Sequence, residues 1–169
     1  MKMTDIISEE KWAELEREIY ERFGVNACVY DDGGFTFTGQ KIFANTICPA
    51  IKAKPEGLQA ICSVAHQNMA AIAKNTGRHV VEECDAGLLK ICVPVSVNGE
   101  FVGVVGGCGR LPEGGEVDTF AVHMASGIPE DELEKLAADC EIMETHKAEE
   151  MAEFLEGFIA GILASRQEA

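Results

Sequence analysis

Seven cysteines supply the most chemically versatile side chains of this 169-residue chain. Three of them, Cys84, Cys92 and Cys108, fall in one stretch that is otherwise rich in valine and glycine. Thiolates bind zinc, iron–sulfur clusters or haem iron, and they also act as nucleophiles. An odd number of cysteines in a chain of this length argues against a disulfide framework. Free thiols and metal ligation are therefore the two open interpretations.

The spacing of the cysteines does not define a metal site by itself. No Cys-x2-Cys pair occurs, so the common zinc-ribbon and ferredoxin patterns are absent. Cys62 lies on the apolar stripe of a helical segment, with His66 one turn later, and Cys92 has apolar neighbours that indicate a core position. Cys84 lies in the polar segment "EECDAG", whose acidic residues raise a thiol pKa. We expect Cys84 to be a poor nucleophile with a ligand or packing role.

The chain lacks the short motifs of common enzyme classes. Gly-x-Ser-x-Gly, Walker-type, His-Glu-x-x-His and dinucleotide-binding patterns are absent, and the four histidines show no paired spacing. The glycine-rich segment "GVVGGCGR" follows a strand and opens no helix, which argues against a phosphate-binding loop. We therefore expect no catalytic residues.

Composition excludes several kinds of partner. The formal net charge is −15, which repels nucleic acids and anionic membranes. The N-terminal segment has no apolar core of signal-peptide length, and no apolar run approaches the length of a membrane span. We expect one domain over residues 1–169, located in the cytoplasm, that binds neither nucleic acid nor membrane.

Hydrophobic periodicity and turn signals predict an α+β fold in which N-terminal, central and C-terminal helices flank a largely antiparallel sheet. The segment 117–123 fits either a strand or a helical turn. The predicted helices are Ser8–Phe23, Pro55 to about Asn75, Pro129–Ala138 and about Lys147–Ser165; the predicted strands are Val25–Tyr30, about Phe35–Thr38, His79–Glu83, Leu88–Val97 and Glu100–Gly107.

The dipeptide Asn98–Gly99 between two apolar runs predicts a two-residue type I′ hairpin. Such a turn pairs Ile91 with Gly106 and places Cys108 on the apolar, inward face of the sheet. Cys92 then lies on the other face, apart from Cys108. A bulge among the glycines of the second strand would change this register.

From Asn45 to about Ser165 the sequence resembles the PocR-type sensory domain, a PAS-like module that binds small molecules. The residues that carry the resemblance are "NTICPAI", Cys62 with His66, "TGRHVVEECDAGLLKICVPVSVNGEFVGVVGGC" and "GIPEDELEKL". The resemblance implies a PAS-like fold and a small-molecule ligand, with propanediol-like compounds proposed for the class. No output domain follows in this chain, so the domain is expected to stand alone and to signal through an unidentified partner.

The resemblance also suggests where a ligand or a metal would bind. We expect a pocket between the 88–107 hairpin and the 55–75 helix. Cys108 stands where many relatives have Gln, which argues against a diol and strengthens the interpretation of a thiolate-ligated zinc, iron–sulfur cluster or haem. A small-molecule pocket with buried, inert thiols is the alternative. The expected pocket residues are Ile61, Ala65, Met69, Val93, Val104 and Gly106, and the expected metal ligands are Cys48, Cys62, Cys84 and Cys108.

Two further interpretations remain open. One is a small thiol- or metal-dependent enzyme or redox accessory protein, against which the missing acid–base constellation argues. The other is a structural partner of another protein. The C-terminal helix has an apolar face, from Met151 to Leu163, that is wider than a thin sheet requires, and a homodimer seam would use the excess.

Overall fold

The computed structural model describes residues 1–168 of the chain. After a 3₁₀ turn at Met3–Asp5 come, in chain order, α1 (Glu9–Phe23), β1 (Asn26–Asp31), α2 (Ile47–Lys52), α3 (Pro55–Gly57), a π-helical segment (Leu58–Ser63), α4 (Val64–Thr76), β2 (Val80–Glu83), β3 (Leu89–Val97), β4 (Glu100–Arg110), α5 (Thr119–Ser126), α6 (Glu130–Ala137) and α7 (Thr145–Glu168). The undecided segment 117–123 is thus largely helical.

Capping residues set the bounds of the first helix, which begins one residue later than predicted and ends at the predicted residue. The side chain of Ser8 accepts a hydrogen bond from the backbone N–H of Lys11, and Gly24 ends α1 with φ 61°. The buried face of the helix carries Trp12, whose Nε1 donates to the carbonyl oxygen of Met3 at 2.9 Å. This face packs α1 against the sheet.

The central helix runs from Pro55 to Thr76, as predicted, and ends at Gly77 with φ 65°. Its second turn is π-helical, over Leu58–Ser63. The additional residue per turn changes the direction of the side chains that follow, and such segments occur frequently at functional sites. Ile61 and Cys62 lie in this segment.

The predicted strand at Phe35–Thr38 does not form. Thr36 contributes only an isolated bridge to Tyr30. The carboxylate of Asp31 accepts hydrogen bonds from the backbone N–H groups of Gly33 and Phe35, at 3.0 and 2.9 Å. Because these bonds hold the chain in a tight turn, the following residues leave the sheet and form a loop up to α2.

The four strands form one antiparallel sheet in the order β1-β4-β3-β2. The turn between β3 and β4 is the predicted one. Asn98 has φ 52° and Gly99 has φ 82°, as a type I′ turn requires, and Val97 pairs with Glu100.

The predicted register beyond this turn is wrong by one residue. A bulge lies between Val95 and Ser96, so that Val93 pairs with Val105 rather than with Val104. An additional residue in one strand of a pair shifts all later pairing, and a shift of one residue exchanges the two faces.

This shift brings Cys92 and Cys108 to the same face of the sheet. Cys92 lies opposite Gly106, and Lys90 lies opposite Cys108. We call this the cavity face; it also carries Asn26, Cys28 and Tyr30 of β1, because these residues pair with Cys108, Gly106 and Val104. Val93 lies on the other face, which α1 and α7 cover.

Hydrophobic clusters fill both sides of the sheet. The side covered by α1 and α7 buries Trp12, Leu15, Ile19, Ile91, Val93, Val105, Met151, Leu155 and Ile159. On the cavity face, Met69 and Ala73 of α4 pack on Val80, Cys92 and Val104. A third cluster joins α2, the π-helical segment, α5 and α6. The architecture is α+β and PAS-like.

Candidate functional site

Two neighbouring cavities lie between the cavity face of the sheet and the segment from α2 to α4. An outer cleft of about 760 Å³ is bounded by β1, the loop after it, α2 and the start of α4. An inner cavity of about 40 Å³ lies deeper, towards β3. Tyr30, Lys52, Cys62 and Cys108 line both. The shared lining makes the two cavities parts of one site.

The inner cavity contains all four cysteines that the sequence singled out. Cys48, Cys62, Cys84 and Cys108 line it although they are far apart in the chain. Its remaining walls are largely apolar and come from Ile51, Ile61, Ala65, Ala86 and Leu88, with Tyr30, Lys52, Lys90 and Gly109. The fold therefore brings together the thiols that spacing alone could not connect.

Two asparagines near the end of β4 contact the thiols of Cys48 in α2 and Cys108 in β4. The Nδ2 of Asn45 donates to the Sγ of Cys48 at 3.3 Å and to the carbonyl oxygen of Gly109 at 2.8 Å. The Nδ2 of Asn26 lies 3.8 Å from the Sγ of Cys108. Gly109 has φ 97°, and a Cβ there would overlap Asn26, so a side chain at this position would disrupt the arrangement.

Burial keeps the thiols of Cys28, Cys48, Cys62 and Cys84 protonated. It raises the pKa of Cys48 to about 12 and that of Cys62 to about 11, and it also raises the pKa of Cys28. The pKa of Cys84 is raised chiefly by burial, although the sequence attributed its low reactivity to acidic neighbours. A thiol in its neutral form is a weak nucleophile and a weak ligand.

Lys90 is the most unusual residue of the inner cavity. It is only 4% exposed, and its Nζ lies 5.4 Å from the centroid of the Tyr30 ring. Burial opposes its charge, but Tyr30 and Cys28, which would be anions beside it if ionised, hold the pKa of Lys90 above its ordinary value. The pKa of Tyr30 is itself raised, first by Cys28 and then by burial. At neutral pH Tyr30 is thus a neutral phenol and supplies no anion to Lys90.

Tyr30 also stacks on His66, which lies on α4 at the outer cleft. The ring centroids are 3.8 Å apart. Burial lowers the pKa of His66 to about 4, and its Nδ1 is buried without a hydrogen-bond partner among residues 1–168. His66 is therefore a neutral part of the wall of the cleft.

The six predicted pocket residues have different places in the structure. Ile61 and Ala65 line the inner cavity. Met69 and Val104 belong to one core cluster on the same side of the sheet, and Gly106 lies between β1 and β3, where a Cβ would overlap the carbonyl oxygen of Ile91. Val93 points to the opposite side of the sheet, because the bulge shifts the register.

The predicted four-thiolate metal site has its residues in one place but not in ligating geometry. Within residues 1–168, no group of three or more His, Cys, Asp or Glu side chains is arranged to hold a metal ion. The thiols surround a cavity whose walls are otherwise apolar, together with a lysine ammonium. The donor set suits a soft metal only if the side chains move closer together.

Sequence reasoning missed several residues of this site, among them Cys28 and Lys90. Both have a recognisable signal. Cys28 alternates with Asn26 and Tyr30 along β1, and Lys90 is the one charged residue in the strand "LKICVPVSV". A polar residue inside an apolar strand indicates a functional position when it proves to be buried.

Comparison with known proteins decides the family. A family model described as a sensory domain found in PocR matches residues 5–167. The chain belongs to the PocR sensory-domain family. No curated protein and no solved structure matches it.

Membership of the PocR family indicates the general role of the chain. The match covers nearly all of the chain and includes both cavities, and the family is a sensory one, so the chain has a ligand-binding sensory role. None of the helices within residues 1–168 is both long and apolar enough to span a lipid bilayer.

Proposed function

We propose that this PocR sensory domain detects a small organic molecule, which it binds without chemical turnover in the inner cavity and the adjoining outer cleft. The observation that supports this proposal most directly is the cavity between α4 and the sheet, lined by apolar side chains and a few polar groups. Pockets of this composition are typical of small-molecule sites. The apolar walls at Ile61 and Ala65 would contact the carbon atoms of the ligand.

Non-catalytic binding fits the chemistry of the cavity. An enzyme of this size would need an activated nucleophile or an acid–base pair. Burial raises the pKa of Cys62 and Cys84 and lowers that of His66, so each of these groups is neutral at pH 7. A small molecule would therefore be held without being attacked by a thiolate.

A cavity-filling substitution tests this proposal. Ala65→Leu adds three carbon atoms to the wall of the inner cavity, whereas Ala160→Leu makes the same change on an exposed position of α7. A panel of short diols, carboxylates and amines is screened by thermal shift and titration calorimetry. We expect binding by the wild type and the Ala160 variant, with at least a tenfold loss in the Ala65 variant. Equal binding by all three proteins would contradict the site.

A cysteine-ligated metal is a second candidate, supported by the four thiols around one cavity. It requires the thiols to lose their protons and to move inward, which a divalent ion would favour. Metal analysis and an absorption spectrum of protein purified without oxygen test it. Stoichiometric zinc or iron that disappears in both Cys48→Ser and Cys84→Ser would support a metal centre. Folded, metal-free wild-type protein would eliminate it.

We further propose that residues 1–169 act as one domain, that the protein forms a homodimer and that it reports to a separate signalling partner. Support for the dimer comes from α7, on which Phe154, Phe158 and Ile162 are only partly buried against the core. Sedimentation at several protein concentrations tests this arrangement. A monomer at all concentrations would exclude the dimer.

A further inference from the structure

The inner cavity holds a positive charge that the protein does not neutralise. Lys90 is 4% exposed, yet within residues 1–168 its Nζ forms no ion pair with a carboxylate. The Nζ is not one of the enclosed side-chain atoms without a partner, and Lys90 lines the inner cavity. Its Nζ lies over the ring of Tyr30, 5.4 Å from the centroid. A buried ammonium without an anion is strongly destabilising, so a position of this kind indicates a missing counter-ion.

The nearest carboxylate along the sheet does not supply that counter-ion. Glu82 of β2 lies directly across the ladder from Lys90. Its side chain is exposed, and it makes no ion pair with Lys90. The ammonium of Lys90 is instead among the groups that line the inner cavity, where a bound molecule could reach it.

The charge of the whole site has the opposite sign to that of the chain. The chain has 29 acidic and 14 basic residues. The two cavities are lined by Lys41, Lys52 and Lys90, but by a single carboxyl group, that of Glu16. Both carboxyl oxygens of Glu16 already accept hydrogen bonds within the protein, one from the backbone N–H of Val29 and one from the hydroxyl of Thr38. An acidic protein thus encloses a positively charged cavity.

We propose that the ligand of this sensory domain is a small organic anion, whose carboxylate enters the inner cavity and forms an ion pair with Lys90. This inference rests on the ligand-binding function proposed above and adds the chemical class of the ligand. The cavity of about 40 Å³ has room for a group of a few non-hydrogen atoms, such as a carboxylate. The carbon atoms next to the carboxylate contact Ile61 and Leu88, and the rest of the molecule extends past Lys52 into the outer cleft.

Matched pairs of probes separate charge from shape. Lactate and 1,2-propanediol share a three-carbon skeleton and the hydroxyl group at C2, and differ only in that the carboxylate of lactate is replaced by a hydroxymethyl group; butyrate and 1-butanol form a second pair. Titration calorimetry with the wild-type protein measures all four. We expect at least one carboxylate to bind about tenfold or more tightly than its neutral counterpart. Neutral compounds that bind as well as the acids would overturn the inference and leave the ligand-binding function intact.

Substitution of Lys90 provides the second test. Lys90→Met keeps an unbranched side chain, one atom shorter, without its charge, and Lys135→Met removes a charge from the surface of α6. We expect Lys90→Met to lose the preference for carboxylates and, without ligand, to melt at a higher temperature than the wild type. If Lys90→Met does not fold, the matched probes on the wild type still decide. A Lys90→Met variant that keeps the carboxylate preference would overturn the inference.

Failure of the inference and failure of the proposed function give different results. Binding of the diol or the alcohol alone, blocked by Ala65→Leu, contradicts an anionic ligand but supports the sensory pocket. No binding by any probe of the panel, in the wild type, contradicts both.

Discussion

Tyr30 of β1 and His66 of α4 are stacked, with ring centroids 3.8 Å apart and ring planes inclined by 29°. The stack joins the sheet to the central helix beside the outer cleft. Offset aromatic contacts of this kind add about 0.5–1.5 kcal/mol to the burial of the rings. Since both rings line the cleft, the same contact that fixes α4 also shapes the site.

The pKa of His66 predicts a loss of stability in acid. Burial lowers this pKa to about 4, from 6.5 in an ordinary histidine, so at pH 5 the unfolded chain binds a proton that the folded protein does not. Stability therefore falls as the pH drops from 6.5 towards 4, by roughly 2–3 kcal/mol. His66→Phe keeps a stacked ring and removes this contribution. Urea unfolding at pH 4.5 and pH 7.5 measures both proteins, and an equal pH dependence would contradict the buried, neutral imidazole.

Gly106 is required by the close approach of β3 and β4. A Cβ at this position would overlap the carbonyl oxygen of Ile91, so Gly106→Ala should destabilise the protein by more than about 2 kcal/mol. Gly157→Ala is the matched control, because beyond the adjacent residues and the backbone of α7 itself nothing lies within 4 Å of a Cβ at this position. There the change should stabilise the helix by about 0.5–1 kcal/mol. Chemical denaturation compares the two, and a harmless Gly106→Ala would disprove the register of this hairpin.

Glu16 is a buried carboxyl whose pKa is raised, first by burial, in spite of its hydrogen bonds to Thr38 and Val29. The folded protein retains a proton at Glu16 that the unfolded chain releases, so stability falls as the pH rises from 4.5 through the raised pKa. Glu16→Gln keeps hydrogen-bonding groups without the charge. We expect the variant to exceed the wild type in stability at pH 8 and to equal it below pH 4.5. A wild type that gains stability over this range relative to the variant would contradict the sign.

The raised pKa values of Cys48, Cys62 and Cys92, to about 12, 11 and 12, predict slow alkylation. At pH 7.5 very little thiolate is present, and burial restricts access further. Iodoacetamide labelling, assigned to peptides by mass spectrometry, should be at least about tenfold slower in the folded protein than in urea. Fast labelling of Cys62 in the folded state would indicate an activated thiol and would favour the enzymatic interpretation.

Local signals predicted most of the secondary structure. The helical spacing of apolar residues gave the bounds of α1 to within one residue, and Asn98 with Gly99 gave the hairpin, because each depends on residues that are near one another in the chain. The glycines of β4 indicated that a bulge was possible, but not its position, which is beside Gly103, between the pairs of Val95 and Ser96. Its effect on the register was large, since a shift of one residue moved Cys92 to the face of Cys108.

The site itself was predicted only in part, for a related reason. The resemblance identified Cys48, Cys62, Cys84 and Cys108, which line one cavity. Cys28 and Lys90 reach the same face only through the strand order β1-β4-β3, which joins segments more than sixty residues apart in the chain. Burial of Lys90 is a tertiary property that a single sequence does not contain.

The most direct test of the account follows ligand binding at individual isoleucine methyl groups by NMR. The protein carries ¹³C-labelled isoleucine methyls and is titrated with the panel of short diols, carboxylates and amines. Ile51 and Ile61 line the inner cavity, whereas Ile19 and Ile91 lie on the α1 and α7 side of the sheet. We predict saturable shifts at Ile51 and Ile61 with little change at Ile19 and Ile91. Saturable shifts confined to Ile19 and Ile91, or no saturable shift with any compound, would contradict the proposed sensory cavity.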